Sequence, residues 1–412
     1  MTDGHDRNRR TMTDRPLNWK LNLFVIWLTQ IMCVAGFSLI IPFVPIYIRD
    51  TWGVTDESVL GAWMAAFTFF GMLSYCVFTP VWGILADRYG RKLMLLRAYY
   101  LDGLIFPCFL LAPSPFWLIV ARFVVSAFTG TVSAAQTLIV TTTPEKNQGF
   151  ALGALSSAIW SGNLVGYAAG GLIVHRFGYT IAFLLCGAMY LAAGALAHLF
   201  VRDDFQRPAA APRSERRRLF DGVTPVIGLI FLLIVLMAVA RRFDDPYVAM
   251  MIEKIHGPEN TALYTGWVSA LAALAGILSA VGVGRLCDRF SPRRIVLPTI
   301  LIAAGTMFLQ ALAPTLCFYA GARFGNFLAA GGMEPVFFSL LSKHSPEARR
   351  GAVFGLASAL RMTGILISSL LSGGLIYFLG IRQIYVAGGV LFLAILPVFY
   401  LTVRIAARTK DE

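Results

Sequence analysis

Residues 83–92 read Gly-Ile-Leu-Ala-Asp-Arg-Tyr-Gly-Arg-Lys, and part of this stretch returns 201 positions later as Gly284-x-x-x-Asp288-Arg289. Other motifs recur in the same order and at nearly the same spacing: Pro42 and Pro246, Trp63 and Trp267, Arg122-Phe123 and Arg323-Phe324, and Pro144-Glu145-x-x-x-Gly149-x-x-x-Gly153 and Pro346-Glu347-x-x-x-Gly351-x-x-x-Gly355. Self-similarity at a fixed period indicates internal duplication. The sequence therefore predicts two similar halves joined in tandem.

The composition indicates the environment of these halves. Of the 412 residues, 57% are apolar and only 14% are charged, whereas a soluble domain is typically about half apolar and about a quarter charged. The apolar runs are long and unbroken, unlike the alternating segments of about ten residues in a membrane β-barrel. We therefore predict an all-α membrane protein, with twelve transmembrane helices in two pseudo-symmetric six-helix bundles.

The positive charges predict the orientation of these helices. Of the 35 Lys and Arg residues, 26 lie in the tails and even-numbered connections, and four lie in the odd-numbered connections: Arg49, Arg176, Lys254 and Arg382. Cytoplasmic loops are enriched in Lys and Arg. We therefore expect a multi-pass protein of the cell (inner) membrane, with both termini in the cytoplasm. The net charge of +13 is then explained by the Lys and Arg residues that orient the protein in the lipid bilayer, and no nucleic-acid partner is expected.

The predicted boundaries follow from the apolar runs. They are a cytoplasmic N-terminal tail (1–19), an N-terminal six-helix bundle (20–201), a cytoplasmic linker (202–221), a C-terminal six-helix bundle (222–404) and a cytoplasmic C-terminal tail (405–412). The linker is rich in Pro, Ala and Arg, which suits a solvated connection, although its basic cluster is also suited to anionic headgroups. The cysteines are scattered and no His-x-x-x-His pair occurs, so neither a metal site nor a cofactor is expected.

Four motifs resemble those of a known family. The stretch from Gly83 to Lys92 resembles the signature loop between the second and third helices of the major facilitator superfamily. Arg122 followed by Gly130 resembles its fourth-helix motif, and residues 162–171 resemble its fifth-helix antiporter motif, with Tyr167 in place of a proline. Residues 37–45 resemble the first helix of the twelve-span drug:proton antiporter branch. The resemblance covers residues 17–405 and implies a monomeric secondary transporter that exchanges protons for a small organic, drug-like solute by alternating access.

The resemblance also implies gating and packing roles. The predicted gating residues are Gly83, Asp87, Arg88, Gly90, Arg91, Lys92, Gly284, Asp288 and Arg289. Glycines permit a tight turn there, and Asp87 suits the positive N-terminal end of a neighbouring helix, which in the family's fold is the eleventh; a merely solvated turn is the alternative. Five glycines at small-x-x-x-small spacing are expected to pack the fifth helix against the eighth: Gly153, Gly162, Gly166, Gly170 and Gly171.

Ionisable residues inside apolar spans mark candidate sites, because each costs at least about 2.5–3.5 kcal/mol in a membrane. The most unusual segment is Arg241-Arg242-Phe-Asp244-Asp245-Pro246. Helical spacing predicts that Arg241 faces both acids and that Pro246 bends the helix. The segment is either a substrate or proton site, an outer gate or a structural salt bridge.

Glu334 is the leading candidate for a titrating carboxylate. It lies eleven residues after Arg323, on the same helix face, and Arg361 is a candidate neighbour. The other candidates for proton coupling are Arg122, by resemblance, and Asp244 and Asp245. The candidates for substrate binding are Gln30, Phe37, Arg241, Arg242, Arg323 and Arg361. Asp102 is assigned a structural role, because the third helix is peripheral in the family's fold.

Three other functions remain open. The mixed charges within the spans also suit a transporter of a zwitterionic, anionic or lipid-linked metabolite. A polytopic membrane enzyme or a transporter-like sensor belongs to another class. The sequence favours neither, because no acids cluster at one membrane face and no soluble output domain is apparent.

Overall fold

The computed structural model describes residues 18–203, 224–289, 292–345 and 350–411. Within these ranges the chain is almost entirely helical and has no strand. Eleven stretches are long and apolar enough to cross a membrane. The longest, Glu145–Phe200, has 56 residues and bends at Gly178, where φ is 76°. At 1.5 Å per residue it measures about 84 Å, enough for two crossings of a core about 30 Å thick. The described helices thus account for the twelve predicted crossings.

The helices divide between the two halves as the repeat predicts. Those of the N-terminal half are α1 (Trp19–Ser38), α2 (Val44–Trp52), α3 (Glu57–Tyr89), α4 (Arg91–Ile105), α5 (Pro115–Phe128), α6 (Thr131–Thr142) and α7 (Glu145–Phe200). Those of the C-terminal half are α8 (Pro225–Arg242), α9 (Val248–His256), α10 (Thr261–Arg289), α11 (Pro292–Ala311), α12 (Leu316–Ala330), α13 (Met333–His344), α14 (Arg350–Leu379) and α15 (Ile381–Asp411). The predicted tail 1–19 and linker 202–221 lie almost entirely outside the described residues, and α15 continues through most of the segment 405–412.

Equivalent crossings of the two halves are interrupted at equivalent places. The first and seventh crossings contain 3-10 turns at Ile41–Phe43 and Asp245–Tyr247. Each turn has a proline at its second position, which lacks an N–H donor and breaks a continuous helix, so the bend predicted at Pro246 is confirmed. The fourth and tenth crossings break at residues 129–130 and 331–332.

The two ends of the bundle differ in packing. We call the end at which α1 begins the terminal end, and the opposite end the far end. At the far end α7 touches α10 so closely that a Cβ atom on Gly171 would lie 2.9 Å from the Ala262 carbonyl oxygen. At the terminal end, a Cβ atom on Gly83, Gly153 or Gly355 would meet no described atom within 4 Å. The described parts of the two halves therefore pack at the far end and stand apart at the terminal end.

Candidate functional site

A cavity of about 780 Å³ lies between the halves. It reaches from the break between α8 and α9 to Gln136 of α6 and Leu152 of α7, and thus extends toward the terminal end of the bundle. Its lining combines aromatic and charged side chains: Trp160, Tyr167, Phe327, Phe337 and Phe338, and Arg241, Arg242, Asp245, Glu334 and Arg361. Pockets of about 300–1,000 Å³ hold drug-sized ligands. We call this space the solute cavity.

Three of the predicted substrate-binding residues line the solute cavity, namely Arg241, Arg242 and Arg361. The other three do not. Gln30 is fully buried and donates to the Tyr99 hydroxyl over 2.8 Å, and Phe37 packs edge-on against Phe106. Arg323 is 3% exposed and belongs to an ion-pair cluster. These three side chains are occupied by contacts within their own halves.

The ion-pair cluster at the α8–α9 break differs from the sequence prediction. Arg323 of α12 pairs with Asp244, and its Nη2 atom lies 3.2 Å from Asp245 Oδ1. Arg242 Nη1 lies 2.9 Å from Asp245 Oδ2. The prediction that Arg241 faces these acids is wrong, because α8 ends at Arg242 and the 3-10 turn replaces the helical spacing on which it depended.

Arg241 instead contacts α12, at a backbone carbonyl and an aromatic ring. Its Nη1 atom donates to the Ala330 carbonyl oxygen over 3.0 Å, and its guanidinium lies 5.3 Å from the centre of the Phe327 ring. Among the described residues it has no carboxylate partner within 4 Å. The solute cavity is therefore lined by three arginines and two acids. Arg241 is the arginine of this set without an ion pair among the described residues, although Glu334, Asp245 and Asp244 act on it from a longer distance.

Glu334 lines the solute cavity and pairs with Arg361 of α14, whose Nε atom lies 3.2 Å from Glu334 Oε1. The neighbour predicted from the sequence is thus the observed partner. The predicted shared face with Arg323 is wrong, because the break at residues 331–332 separates α12 from α13 and Arg323 turns to the buried cluster. Glu334 keeps 41% of its side chain exposed, so it remains accessible from the cavity.

The glycines of α7 mostly contact α1 rather than the eighth crossing. A Cβ atom on Gly162 or Gly170 would lie 2.8 Å from Val34 or Leu39, and Gly166 packs on the Ala35 backbone. For these three the predicted partner is wrong, since their face of α7 points into the N-terminal half. Gly171 does pack on α10, at Gly266, as predicted. Gly153 faces open space, so its packing role is not realised in this conformation.

The signature loop forms the predicted tight turn, with Gly90 at φ 101°. Lys92 and Arg91 donate their backbone N–H groups to Asp203 over 3.0 and 2.9 Å, and the Lys92 ammonium donates to the His198 carbonyl oxygen. Arg88 lies over the ring of Tyr89, its neighbour in the chain. The side chains of Asp87, Asp288 and Arg289, and the surroundings of Gly284, lie outside the described residues.

At the far end, a set of ion pairs that the sequence did not predict joins the two halves. Arg49 pairs with Glu253, and Lys254 Nζ lies 2.7 Å from Glu57 Oε2. Glu57 also accepts the backbone N–H of Ile381 over 2.7 Å. We call the four side chains Arg49, Glu57, Glu253 and Lys254 the far-end latch. The only sequence signal was that Arg49 and Lys254 are two of the few cations in the odd-numbered connections.

Comparison with known proteins decides the family. The model of the Major Facilitator Superfamily matches residues 26–252 and 230–412. The chain belongs to the Major Facilitator Superfamily. It is therefore a multi-pass membrane transporter, as the signature loop implied, and this membership decides against the membrane enzyme that the sequence left open.

Curated relatives and solved structures agree with this membership. Multidrug resistance protein MdtG of Salmonella arizonae (strain ATCC BAA-731 / CDC346-86 / RSK2980) is 29% identical over 388 residues, covering 93% of this chain and 96% of the relative. MdtG of Escherichia coli (strain K12 / DH10B) is also 29% identical, over 387 residues that cover 93% of this chain and 95% of the relative.

The fold resembles that of solved transporters with low sequence identity. A bacterial homolog to the human lysosomal transporter Spinster, in an inward-facing and occupied conformation, superposes with a TM-score of 0.76 at 16% identity, covering 95% of this chain and 97% of that one. The nucleoside transporter NupG superposes with a TM-score of 0.72 at 12% identity, covering 93% and 99%. At such identities the likeness concerns the fold alone.

Proposed function

We propose that this transporter exports an organic, drug-like solute in exchange for protons, working as a monomer by alternating access in the cell (inner) membrane with both termini in the cytoplasm. The observation that carries the proposal is the solute cavity, which lies between the halves, extends toward the terminal end and contains an accessible acid, Glu334. The multidrug resistance relatives support a drug-like solute. The excess of Lys and Arg at the terminal end supports its cytoplasmic location.

Alternating access is supported by the unequal packing of the two ends. The far-end latch and the contact between Gly171 and Gly266 hold the halves together on one side of the solute cavity. On the other side Gly153 and Gly355, which occupy equivalent positions in the repeat, face open space. A rocking motion that opens the latch would bring these glycine-bearing surfaces together, because small residues permit close helix approach.

A tryptophan at Gly153 is expected to block this closure. In the described conformation the side chain would occupy open space, so folding and solute binding from the terminal end should persist. Closing the terminal end over it would cost about 1–3 kcal/mol through overpacking, which corresponds to a transport rate lower by roughly 5–150-fold. Solute binding and transport, measured on the same purified Gly153→Trp protein, check this expectation.

Gly374→Trp provides the matched control, because Gly374 is also helical, exposed and without a neighbouring described atom within 4 Å, but lies in the far half of α14. It should transport like the unmodified protein. Equal transport by both tryptophan variants would contradict closure at the terminal end.

The pair of Glu334 and Arg361 supports proton coupling. Its geometry makes the direction of proton movement, against or with the solute, depend on the charge of the solute. A proton on Glu334 removes the negative charge that pairs with Arg361 at 3.2 Å. A cationic solute that binds the Glu334 carboxylate would compete with the proton, which is the requirement for exchange. An anionic solute would gain the released arginine, so protonation would strengthen its binding and favour cotransport.

A second candidate function, transport of an anionic or zwitterionic solute, is favoured by one observation. Arg241 lines the solute cavity, forms no ion pair within 4 Å with a described side chain and lies beside the Phe327 ring, with Glu334 as the acid that influences it most. An arginine in this setting offers two N–H groups to a carboxylate, phosphate or sulfonate, while the aromatic wall accepts an apolar body.

Arg241→Gln separates the two candidates. A hydrogen bond to a charged group contributes about 1.5–3 kcal/mol, so the affinity for an anionic solute should fall by roughly 10–100-fold. The affinity for a cationic solute should stay constant or rise. Binding isotherms for one amphipathic anion and one amphipathic cation check this, with Arg176→Gln, an exposed change outside the cavity, as control.

Reconstituted vesicles with an imposed pH gradient test the proposed function as a whole. Cationic and anionic fluorescent amphiphiles serve as probes, and proton movement is followed in the same vesicles. Accumulation of the cation against its gradient, with protons moving the opposite way, is expected for exchange. Accumulation of the anion together with protons would support the second candidate, and no gradient-dependent movement of either probe would contradict proton coupling.

A further inference from the structure

Asp102 lies on α4, outside the solute cavity, and is fully buried. Neither of its carboxylate oxygens has a described partner that meets hydrogen-bond geometry, and Thr129 is the polar side chain that comes nearest to this role. An ionised carboxylate that is buried without a partner is strongly disfavoured. The geometry instead fits a carboxyl group that carries a proton in this conformation.

The groups that face Asp102 come from its own helix and from the elements packed against it. They are Arg97 on α4, Arg122 on α5, Thr129 at the break of the fourth crossing, Cys33 on α1, and Cys186 and Tyr190 on α7. The thiols and the phenol are neutral near pH 7. The two arginines are therefore the charged groups that can respond when Asp102 gains or loses a proton.

Both arginines rest on aromatic rings rather than on Asp102. The Arg97 guanidinium lies 3.5 Å from the centre of the Trp82 ring, and that of Arg122 lies 5.0 and 5.4 Å from the Phe37 and Phe67 rings. Arg97 Nε and Nη1 and Arg122 Nε have no acceptor among the described residues. Each arginine thus has N–H groups that can donate to a deprotonated carboxylate. While Asp102 is protonated, a cation–π contact with the ring stabilises the guanidinium charge.

A second, smaller cavity connects this region to the terminal end. It measures about 100 Å³ and is lined by Gly83 and Arg91 of the signature loop, and by Arg97 and Thr129 beside Asp102. Its walls are mostly apolar, but Arg91, Arg97, Thr79 and Ser133 supply polar groups, and a space of about this size with several such partners accommodates water. It shares no lining residue with the solute cavity, so a proton would have a path of its own.

We propose that Asp102 is a second proton-binding site of this transporter, loaded from the terminal end through the smaller cavity, with Arg122 or Arg97 as its ion-pair partner once the proton leaves. The proton adds to a carboxylate oxygen and returns to water on release, and no other bond changes. This inference rests on the proposed proton coupling and adds one coupled proton per transport cycle to the one assigned to Glu334.

The break in the fourth crossing provides the link to the solute. Arg97 Nη2 contacts the Thr129 carbonyl oxygen at 3.5 Å, directly before Gly130, where φ is 129°. Beyond the break, α6 carries Gln136, which lines the solute cavity. A movement of Arg97 toward Asp102 would release this contact and let α6 change its angle. Loading of the proton site would thereby alter the cavity wall.

The isosteric variant Asp102→Asn tests the site by two measurements on the full-length protein in lipid. Infrared difference spectra across a pH titration should contain the carbonyl band of a protonated carboxylic acid, and the variant should lose it. In vesicles with a pH gradient of about one unit, maximal solute accumulation should fall by about tenfold, since one pH unit corresponds to about 1.4 kcal/mol per coupled proton. Solute exchange without a pH gradient should continue, and Asp102→Glu should restore accumulation.

Glu259→Gln, an exposed change at the far end, is the control and should alter neither measurement. An infrared band and an accumulation ratio that both survive in Asp102→Asn would overturn the proposal. So would the absence of any titrating carboxylic-acid band from the unmodified protein. If the unmodified protein shows the Asp102 band but no proton-driven accumulation, the proposed function fails while the proton site stands.

Discussion

Replacing Arg323 by Met should destabilise the protein by about 3–5 kcal/mol, because it leaves Asp244 buried and without its charged partner. Arg323 and Asp244 are only 3% and 4% exposed, and their pair joins α12 to the α8–α9 break. Thermal unfolding of the purified protein, followed by intrinsic fluorescence, measures the loss. We expect a lower melting temperature and a lower yield of folded protein.

Arg242→Met is the matched control, since Arg242 also pairs with an acid of the same turn but leaves 59% of its side chain exposed. Exposed ion pairs contribute about 0–1 kcal/mol, so its effect should be small. The double change Arg323→Met with Asp244→Asn should recover much of the stability, because no unpaired buried charge remains. A double variant as unstable as Arg323→Met alone would show that the ion pair is not the source of the effect.

Glu334→Gln should remove the pH dependence of solute binding and lower proton-driven accumulation by about tenfold at a gradient of about one pH unit, the contribution of one coupled proton. The amide cannot titrate, and it leaves Arg361 without the carboxylate that lies 3.2 Å away. Binding of an amphipathic cation should weaken and binding of an anion should strengthen. Affinities measured over a pH series, alongside accumulation in vesicles, check these expectations.

Glu334→Asp retains a carboxylate and should retain a pH dependence, although its shorter side chain weakens the contact with Arg361. For an unmodified protein that exchanges cation for proton, lowering the pH should weaken cation binding, because the proton occupies the same carboxylate. Unchanged pH dependence in Glu334→Gln would contradict a proton-binding role for this residue and leave the buried acids of the two halves as the remaining candidates.

Local features were predicted well from the sequence. The bend at Pro246 and the tight turn at Gly90 depend on the backbone chemistry of single residues. The pairing of Glu334 with Arg361 was predicted as a neighbourhood, and the structure confirms it at 3.2 Å. The contacts of Gly171 with α10 were also as expected.

Predictions that depended on an unbroken helix were wrong. Arg241 was expected to face Asp244 and Asp245, and Glu334 to share a face with Arg323. Both expectations assumed 3.6 residues per turn across a segment that the structure interrupts, at the 3-10 turn 245–247 and at residues 331–332. A break rotates everything beyond it, so helical spacing no longer predicts which side chains meet.

The sequence by itself determined the membrane-spanning helices, the internal repeat and the family, because apolar length, motif spacing and the chemistry of proline and glycine are properties of neighbouring residues. Only the tertiary structure decided which charges form ion pairs: Arg323 with Asp244, Lys254 with Glu57 across 197 positions, and none within 4 Å for Arg241 among the described residues. The physical reason is that a charge buried in a low-dielectric interior is stabilised by whichever group lies within a few ångströms. That distance is set by how the helices pack and where they break.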